Sequence, residues 1–326
     1  MNIVVLGAGA WGTALANLAA SSGSRVAFWG RDPGRMEAIA RERENRRYLP
    51  GVQLAPGIEA ASNIACVADA DLVLAVVPTQ ALREVARAAR PFARGRAAWV
   101  ICAKGIERAS KRFLSDVLAE ELPDAIPVIL SGPSFAGDVA RGLPTAVTVA
   151  TNDESIAQQL AERLATPTFR LYRSTDMRGV EIGGAAKNVL AIACGIAQGA
   201  GLGASAGAAL IARGFAELAR FGRAFDARAE TLMGLSGLGD LVLTCSSEQS
   251  RNFSYGLALG RGERADTAAH GHLVEGALTA SVLIALGHSA GVDMPISHCV
   301  ARVIAGELTI ADAIGALLQR PQKPEW

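Results

Sequence analysis

Of the 32 Lys and Arg residues in this 326-residue chain, only Lys104, Lys111, Lys187 and Lys323 are lysines, leaving 28 arginines. A chain with that habit has a reason to be examined where it departs from it. Lys104 lies in Cys102-Ala103-Lys104-Gly105, just past the apolar run Trp99–Cys102. Lys187 lies in Glu181-Ile-Gly-Gly-Ala-Ala-Lys187-Asn188-Val-Leu, among small apolar residues. Desolvation in such surroundings favours the neutral amine. An amine that titrates can move a proton, whereas a guanidinium stays charged. Lys104 and Lys187 are therefore candidates for acid–base chemistry, with chance placement as the competing reading.

Other polar groups stand where they could serve such a lysine. In Gly237-Leu-Gly239-Asp240-Leu-Val-Leu-Thr244, a helix would put Asp240 and Thr244 on one face. The carboxylate could hold Lys187 or a substrate hydroxyl, or it could simply cap the helix. Ser250-Arg251-Asn252 offers three polar groups in a row, and a guanidinium suits bidentate phosphate binding. Surface loops of that composition are common, so the tripeptide alone says little. Ser131-Gly132-Pro133-Ser134 follows a strand-like run, and Gly132 and Ser134 offer backbone and hydroxyl donors to an anion. Ligands in open α/β sheets gather outside the carboxyl ends of strands, so this loop and Lys104 are expected to face one crevice.

Gly7-x-Gly9-x-x-Gly12 follows the apolar run Ile3–Leu6 and opens a helical stretch at Ala10. In the dinucleotide-binding turn the first glycine permits the tight turn, the second lets the backbone approach the pyrophosphate, and the third lets helix and strand pack closely. The helix aims free N–H groups at the phosphates. The next strand ends Trp29-Gly30-Arg31-Asp32. Glycine near the expected acidic position, followed by Arg31, favours NADP; Asp32 keeps NAD open, so NADPH is favoured and dual use expected. Arg46 and Arg47 are further candidates for the 2′-phosphate, although a solvated basic loop is the plainer reading.

The elements that must carry these residues fall into two groups. Apolar runs of strand length recur at Ile3–Leu6, Val26–Trp29, Leu72–Val77, Trp99–Cys102, Val128–Leu130, Ala146–Ala150 and Thr168–Tyr172. Helical stretches lie between several of them, at Ala10–Ala20, Pro33–Glu44, Gln80–Ala89, Lys111–Glu120 and Asp153–Leu164. Runs without alternation are buried on both faces, and strand–helix–strand order implies a doubly wound, mostly parallel sheet. After about Thr175 only helices are expected, at Asp176–Ala200, Ala206–Phe221, Gly239–Cys245, His272–His288 and Thr309–Leu318. The expected organisation is a Rossmann-type α/β domain over 1–178 and an all-α domain over 179–326. The ending QRPQKPEW reads as a loose tail.

Composition narrows the partners. The net charge of +1 shows no excess of basic charge for nucleic acid or an anionic membrane. The apolar runs, such as Leu72–Val77, fall short of the ~20 residues of a membrane span. The first residues lack a basic leader region, so no secretory signal is expected. Cys66, Cys102, Cys194, Cys245 and Cys299 are scattered, which suggests buried reduced thiols in a cytoplasmic protein. The four histidines lack metal-ligand spacing, and no metal is expected.

Taken together, the segments resemble the bacterial NAD(P)-dependent glycerol-3-phosphate dehydrogenases over nearly the whole chain. The stretches that carry the resemblance include GAGAWGTALA, WGRDP, NRRYLPG, VVPTQALREV, AKGIE, SGPSFAGDVARGLPTAV, VEIGGAAKNVLAIACGI, ETLMGLSGLGDLVLTCSSEQSRN and the glutamate of LVEG. The resemblance implies Lys187 as proton donor and acceptor. It implies Lys104, Gly132, Ser134, Asn188, Asp240, Thr244, Ser250, Arg251 and Asn252 around glycerol phosphate. It sets Ala10, Trp11, Arg31, Lys104, Ala136, Arg251, Leu273 and Glu275 against the dinucleotide, beside Gly7, Gly9 and Gly12. It also implies reversible reduction of dihydroxyacetone phosphate, a place in phospholipid precursor supply, and a homodimer. The chain departs from the family pattern at Ser205, Gly207 and Ala212, and has Asp138 where a glutamate is usual. Two rival readings are a hydroxy-acid dehydrogenase of the same architecture, against which Arg251 argues, and a non-enzymatic nucleotide sensor, which would have no use for Lys187 and Asp240.

Overall fold

In β1 (Asn2–Leu6), Ile3 and Val5 pack into one core with α1 (Ala10–Ser21), while Val4 and Leu6 pack into a second core with Trp99 on the opposite face. That double burial is why the strand reads as an unbroken apolar run. The computed structural model describes residues 1–321, so the tail read at the end of the chain lies, from residue 322 on, outside the described residues.

The sheet is eight-stranded, in the order β3-β2-β1-β4-β5-β6-β7-β8. The remaining strands are β2 (Arg25–Trp29), β3 (Ile58–Ala61), β4 (Leu72–Ala75), β5 (Ala98–Ile101), β6 (Ile126–Ser131), β7 (Thr145–Ala150) and β8 (Phe169–Ser174). All neighbours pair in parallel except β6 and β7, so β7 and β8 run against the other six. Helices α2 (Pro33–Glu42), α3 (Leu82–Ala89), α4 (Leu114–Glu121), α5 (Ala136–Ala140) and α6 (Glu154–Leu164) complete this half. This is the mostly parallel, doubly wound Rossmann architecture expected from the sequence. Its strand order reverses between β1 and β4, where such folds place a ligand crevice.

The differences from expectation have local causes. β3 was not anticipated; it is a four-residue edge strand, Ile-Glu-Ala-Ala, paired only to β2. α2 stops at Glu42 because Arg43 adopts φ +54, and α4 starts at Leu114 rather than Lys111 because Lys111 sits at φ +58. Neither angle continues a right-handed helix. Asp32 and Asp153 cap α2 and α6 through main-chain N–H groups, each cap stabilising by about 1 kcal/mol.

From Met177 on, every regular element among the described residues is a helix: α7 (Met177–Gly199), α8 (Gly203–Ala224), α9 (Ala229–Met233), α10 (Asp240–Cys245), α11 (Arg251–Gly260), α12 (Glu275–Ser289), α13 (Pro295–Ile304) and α14 (Ile310–Leu318), joined by turns and loops. α9, α11 and α13 were not anticipated, although Pro295 in the first turn of α13 is a starting signal. α7 is long and apolar enough to cross a bilayer on those two measures alone, a stretch the run lengths had concealed, and its apolar window is 100% buried inside the protein. It serves as the core of the helical half.

α7 and α11 meet backbone to backbone. A Cβ at Gly195 would run into the Phe253 carbonyl, and one at Gly256 into the Ile192 carbonyl. Gly199 and Gly260 face Leu257 and Ile196 in the same way. Helix separation depends on the side chains at the contact, and here there are none. The start of α11 is thereby held at a fixed place relative to the middle of α7. Cys102, Cys194 and Cys245 are buried, but Cys66 and Cys299 are half-buried, so the burial expected of all five holds for three.

Candidate functional site

The glycine turn follows β1 at the switch point. Gly7 has φ +122, and a Cβ there would meet the Val76 carbonyl oxygen at 2.7 Å. A Cβ on Gly12 would run into the Gly7 carbonyl, whereas nothing lies within 4 Å of the corresponding position on Gly9. Among the described residues, the main-chain N–H groups from Ala8 to Gly12 have no hydrogen-bond partner. An open face of free N–H groups at a helix start fits the pyrophosphate of a dinucleotide. Ala10, Trp11 and Ala136 are partly buried and each packs against the core beneath the turn.

At the end of β2, a side chain on Gly30 would press on Met36 Sδ at 2.5 Å. Asp32 caps α2: its exposed carboxylate accepts from Arg35 N at 3.1 Å and Arg35 Nη2 at 3.2 Å. Arg31 is exposed beside it, and the Arg35 and Arg47 guanidiniums each lie 5.4 Å from the Tyr48 ring centroid. Arg46 is paired with Glu42 and Glu44 at the surface. Arg31, Arg35, Arg46 and Arg47 gather basic side chains around the end of β2.

Lys104, Lys187, Asp240 and Thr244 converge although 140 residues of sequence separate their ends. Lys187 Nζ donates to Asp240 Oδ1 and to Thr244 Oγ1, both at 2.6 Å. Lys104 Nζ donates to Asp240 Oδ2 at 2.6 Å and to the Gly132 carbonyl at 2.9 Å. Lys187 is 6% exposed and Asp240 1%. Asp240 follows a π-helical turn, Leu235–Gly239, and occupies the first position of α10 with its carboxylate turned to the lysines, so capping is not its task. Burial lowers the Lys187 pKa to about 8, with the neighbouring Lys104 charge adding to the drop and Asp240 opposing it. Burial works against the Asp240 charge too, but the two ammoniums outweigh it and hold its pKa below the ordinary value. Two cations around one anion leave a net positive, buried pocket, suited to an anionic substrate or a developing alkoxide.

A chain of amides joins this pocket to α11. Asn188 Nδ2 donates to the Lys104 carbonyl at 3.0 Å, Asn252 Nδ2 donates to Asn188 Oδ1 at 2.9 Å, and Gly276 N donates to Asn252 Oδ1 at 2.9 Å. Ser250 caps α11 by accepting from Phe253 N at 3.2 Å. Arg251 is exposed, with no ion pair or side-chain hydrogen bond among the described residues. Ser134 Oγ donates to the Gly132 carbonyl at 3.1 Å, and Gly132 itself, at φ +144, passes against Val147. Glu275 Oε1 accepts from Thr79 N at 3.0 Å, linking α12 to the segment after β4. Its other oxygen is buried without a partner, as is Ser131 Oγ, and burial raises the Glu275 pKa. Buried polar atoms of this kind find their partners in ligands or water. Leu273 is exposed just ahead of α12.

Several supporting residues escaped the sequence reading. Glu107 grips Arg83 Nε and Nη2, both at 2.8 Å, while Gln80 donates to the Ile106 carbonyl and accepts from Arg108 N, each at 2.9 Å. Together they hold the loop that follows Lys104. Glu181, six residues before Lys187, accepts from Ser115 N at 2.8 Å and Ser115 Oγ at 2.7 Å and so fixes α7 to the start of α4. Burial pushes its pKa up to about 6. Gln80, Arg83, Glu107 and Glu181 lie in stretches that carry the family resemblance, but nothing in residue type marks their partners. The departures Ser205, Gly207 and Ala212 fall on the first, largely exposed half of α8.

Fold and site define a two-domain nicotinamide-dinucleotide dehydrogenase whose second, helical domain carries a buried lysine. Residues 2–157 match the NAD-dependent glycerol-3-phosphate dehydrogenase N-terminus, and residues 176–315 the corresponding C-terminus. The chain belongs to the NAD-dependent glycerol-3-phosphate dehydrogenase family. It is 56% identical over 324 residues to a glycerol-3-phosphate dehydrogenase [NAD(P)+] of Rhodopseudomonas palustris, covering 99% of this chain and 98% of that protein. It is 55% identical over 323 residues to the protein of that name from Azorhizobium caulinodans, with the same coverage. The crystal structure of a glycerol-3-phosphate dehydrogenase from Coxiella burnetii superposes with a TM-score of 0.93 at 40% identity, covering 98% of this chain and 99% of that one.

Proposed function

We propose that this chain reversibly reduces dihydroxyacetone phosphate to sn-glycerol 3-phosphate with NADPH or NADH, and that Lys187 is its proton donor and acceptor. The observation that carries the reading is the buried Lys187–Asp240–Lys104 arrangement, because it holds an ammonium whose pKa of about 8 lets it give and retake a proton near neutrality. The Gly7–Gly12 turn, Arg31 and Glu275 would hold the dinucleotide, which would supply the hydride that C2 of the substrate accepts.

Lys187 Nζ donates a proton to the C2 oxygen as the C–O bond becomes an alkoxide. Asp240 and Thr244 fix the direction of that amine. Lys104 adds positive charge beside the developing anion and holds the Gly132 carbonyl, which sets the loop bearing Ser134. Arg251 and Asn252, with Ser250 and the main chain near Ser134, bind the phosphate. That binding energy, remote from the reacting carbon, orients C2. In the reverse direction neutral Lys187 takes the hydroxyl proton.

The test is to mix the protein with NADH or NADPH and dihydroxyacetone phosphate and follow the reduced-nicotinamide absorbance. Loss of absorbance that depends on the phosphorylated substrate supports the reading. No loss with either cofactor overturns it.

A further inference from the structure

Asn45 heads the NRRYLPG stretch in the loop between α2 and β3, yet it is only 1% exposed. We propose that Asn45 is a positioning residue for the dinucleotide: it locks the Gly7–Gly12 turn in the conformation that turns main-chain N–H groups toward the pyrophosphate. The inference rests on that turn being the dinucleotide site.

The geometry has one consistent direction. Asn45 Nδ2 donates to the Ala8 carbonyl at 3.1 Å and to Thr13 Oγ1 at 2.8 Å. Thr13 Oγ1 donates in turn to the Gly9 carbonyl at 2.8 Å. The amide thus uses both protons, and the hydroxyl accepts one bond and gives one. The carbonyls of Ala8 and Gly9 are drawn inward. In a trans peptide the C=O and the following N–H point in opposite directions. Holding those two carbonyls inward sends the Gly9 and Ala10 N–H groups outward, and these are among the N–H groups without partners.

The anchor is itself fixed. Asn17 donates to the Gln53 carbonyl at 3.0 Å and accepts from Ala55 N at 2.9 Å, and Arg43 Nη1 donates to the Ile58 carbonyl at 2.7 Å. Leu49 and Leu54 are buried in the core that α1 shares. A loop fastened at these points can hold the turn. Because the pyrophosphate is common to NADH and NADPH, the effect of Asn45 is blind to the 2′-phosphate, unlike that of Arg31.

The experiment titrates NADH and NADPH against the full chain by nicotinamide fluorescence, for wild type, Asn45→Ala, Thr13→Val and Thr13→Ser. Asn45→Ala and Thr13→Val are expected to weaken both dinucleotides by the same factor, about tenfold. The loss should appear in KM for the dinucleotide and not in kcat at saturation, and Thr13→Ser, which keeps the hydroxyl, should bind like wild type. Unchanged affinity for both dinucleotides, even with a lowered Tm, overturns the inference, as does a loss confined to NADPH. Should Asn45→Ala not fold, Thr13→Val decides by the same criteria. Wild type that binds neither dinucleotide would instead overturn the reading of the turn itself.

Discussion

Lys187 Nζ lies 2.6 Å from Asp240 Oδ1, and both residues are buried. Burial drives that lysine toward the neutral amine, and the Asp240 carboxylate opposes the drift. Lys104, on the other carboxylate oxygen, divides that attraction. The balance leaves Lys187 titrating at about 8.

The pH dependence follows directly. Reduction needs protonated Lys187, so kcat/KM for dihydroxyacetone phosphate reduction, which reports groups of the protein before substrate binds, should be level at lower pH and fall as pH rises through about 8. Oxidation of glycerol 3-phosphate needs the neutral amine, so its kcat/KM should rise through the same pH. Because the Lys104 charge lowers the Lys187 pKa, Lys104→Met should move both inflections upward. Profiles of kcat/KM against pH in both directions check the sign.

Asp240→Asn takes from Lys104 and the buried Lys187 the counter-charge they share. Removing one partner of a buried ion pair typically costs about 3–5 kcal/mol. The variant should unfold at lower denaturant, and Asp240→Asn combined with Lys104→Met should recover part of the loss. Chemical denaturation of the single and double variants measures that coupling.

Arg251 is exposed at the start of α11 and free of ion pairs among the described residues. Arg251→Met should raise KM for dihydroxyacetone phosphate roughly 10- to 100-fold, as expected for loss of hydrogen bonds to a charged group. At saturating dinucleotide, any reaction of unphosphorylated dihydroxyacetone should be unaffected. An equal loss on both substrates would favour the hydroxy-acid reading, in which the guanidinium binds no phosphate.

Gly256→Ala sets a methyl group against the Ile192 carbonyl in the α7–α11 crossing. Overpacking of this kind costs typically about 1–3 kcal/mol. Because α11 begins with Arg251 and Asn252, the displaced helix should also raise KM for the phosphorylated substrate. Thermal denaturation and steady-state kinetics on one sample separate the two effects.

Much of the scaffold was legible because its patterns are local. The Gly7–Gly12 turn, the apolar strands and the change to helices after Ser174 each announce themselves within a few residues. The active pocket was legible only as separate candidates. Lys104, Lys187 and Asp240 stood out by type, but their meeting at one carboxylate depends on α7, α10 and the β5 loop converging across more than a hundred residues. Asp240 could have been a cap, and only its place after the π-helical turn settles its direction. Asn45 carried no signal, since an asparagine between Glu44 and two arginines looks like any solvated loop. β3 and α9 were too short to show a period, and α11 was obscured by the polar tripeptide that opens it.

The central claim is that Lys187 moves the proton. The measurement is kcat for dihydroxyacetone phosphate reduction by Lys187→Ala at saturating substrate and dinucleotide, with the NADPH dissociation constant measured on the same protein. Loss of a positioned general acid lowers the rate by roughly 10²- to 10⁴-fold. The predicted result is a fall of that size with dinucleotide binding unchanged. Turnover within a few-fold of wild type would contradict the account.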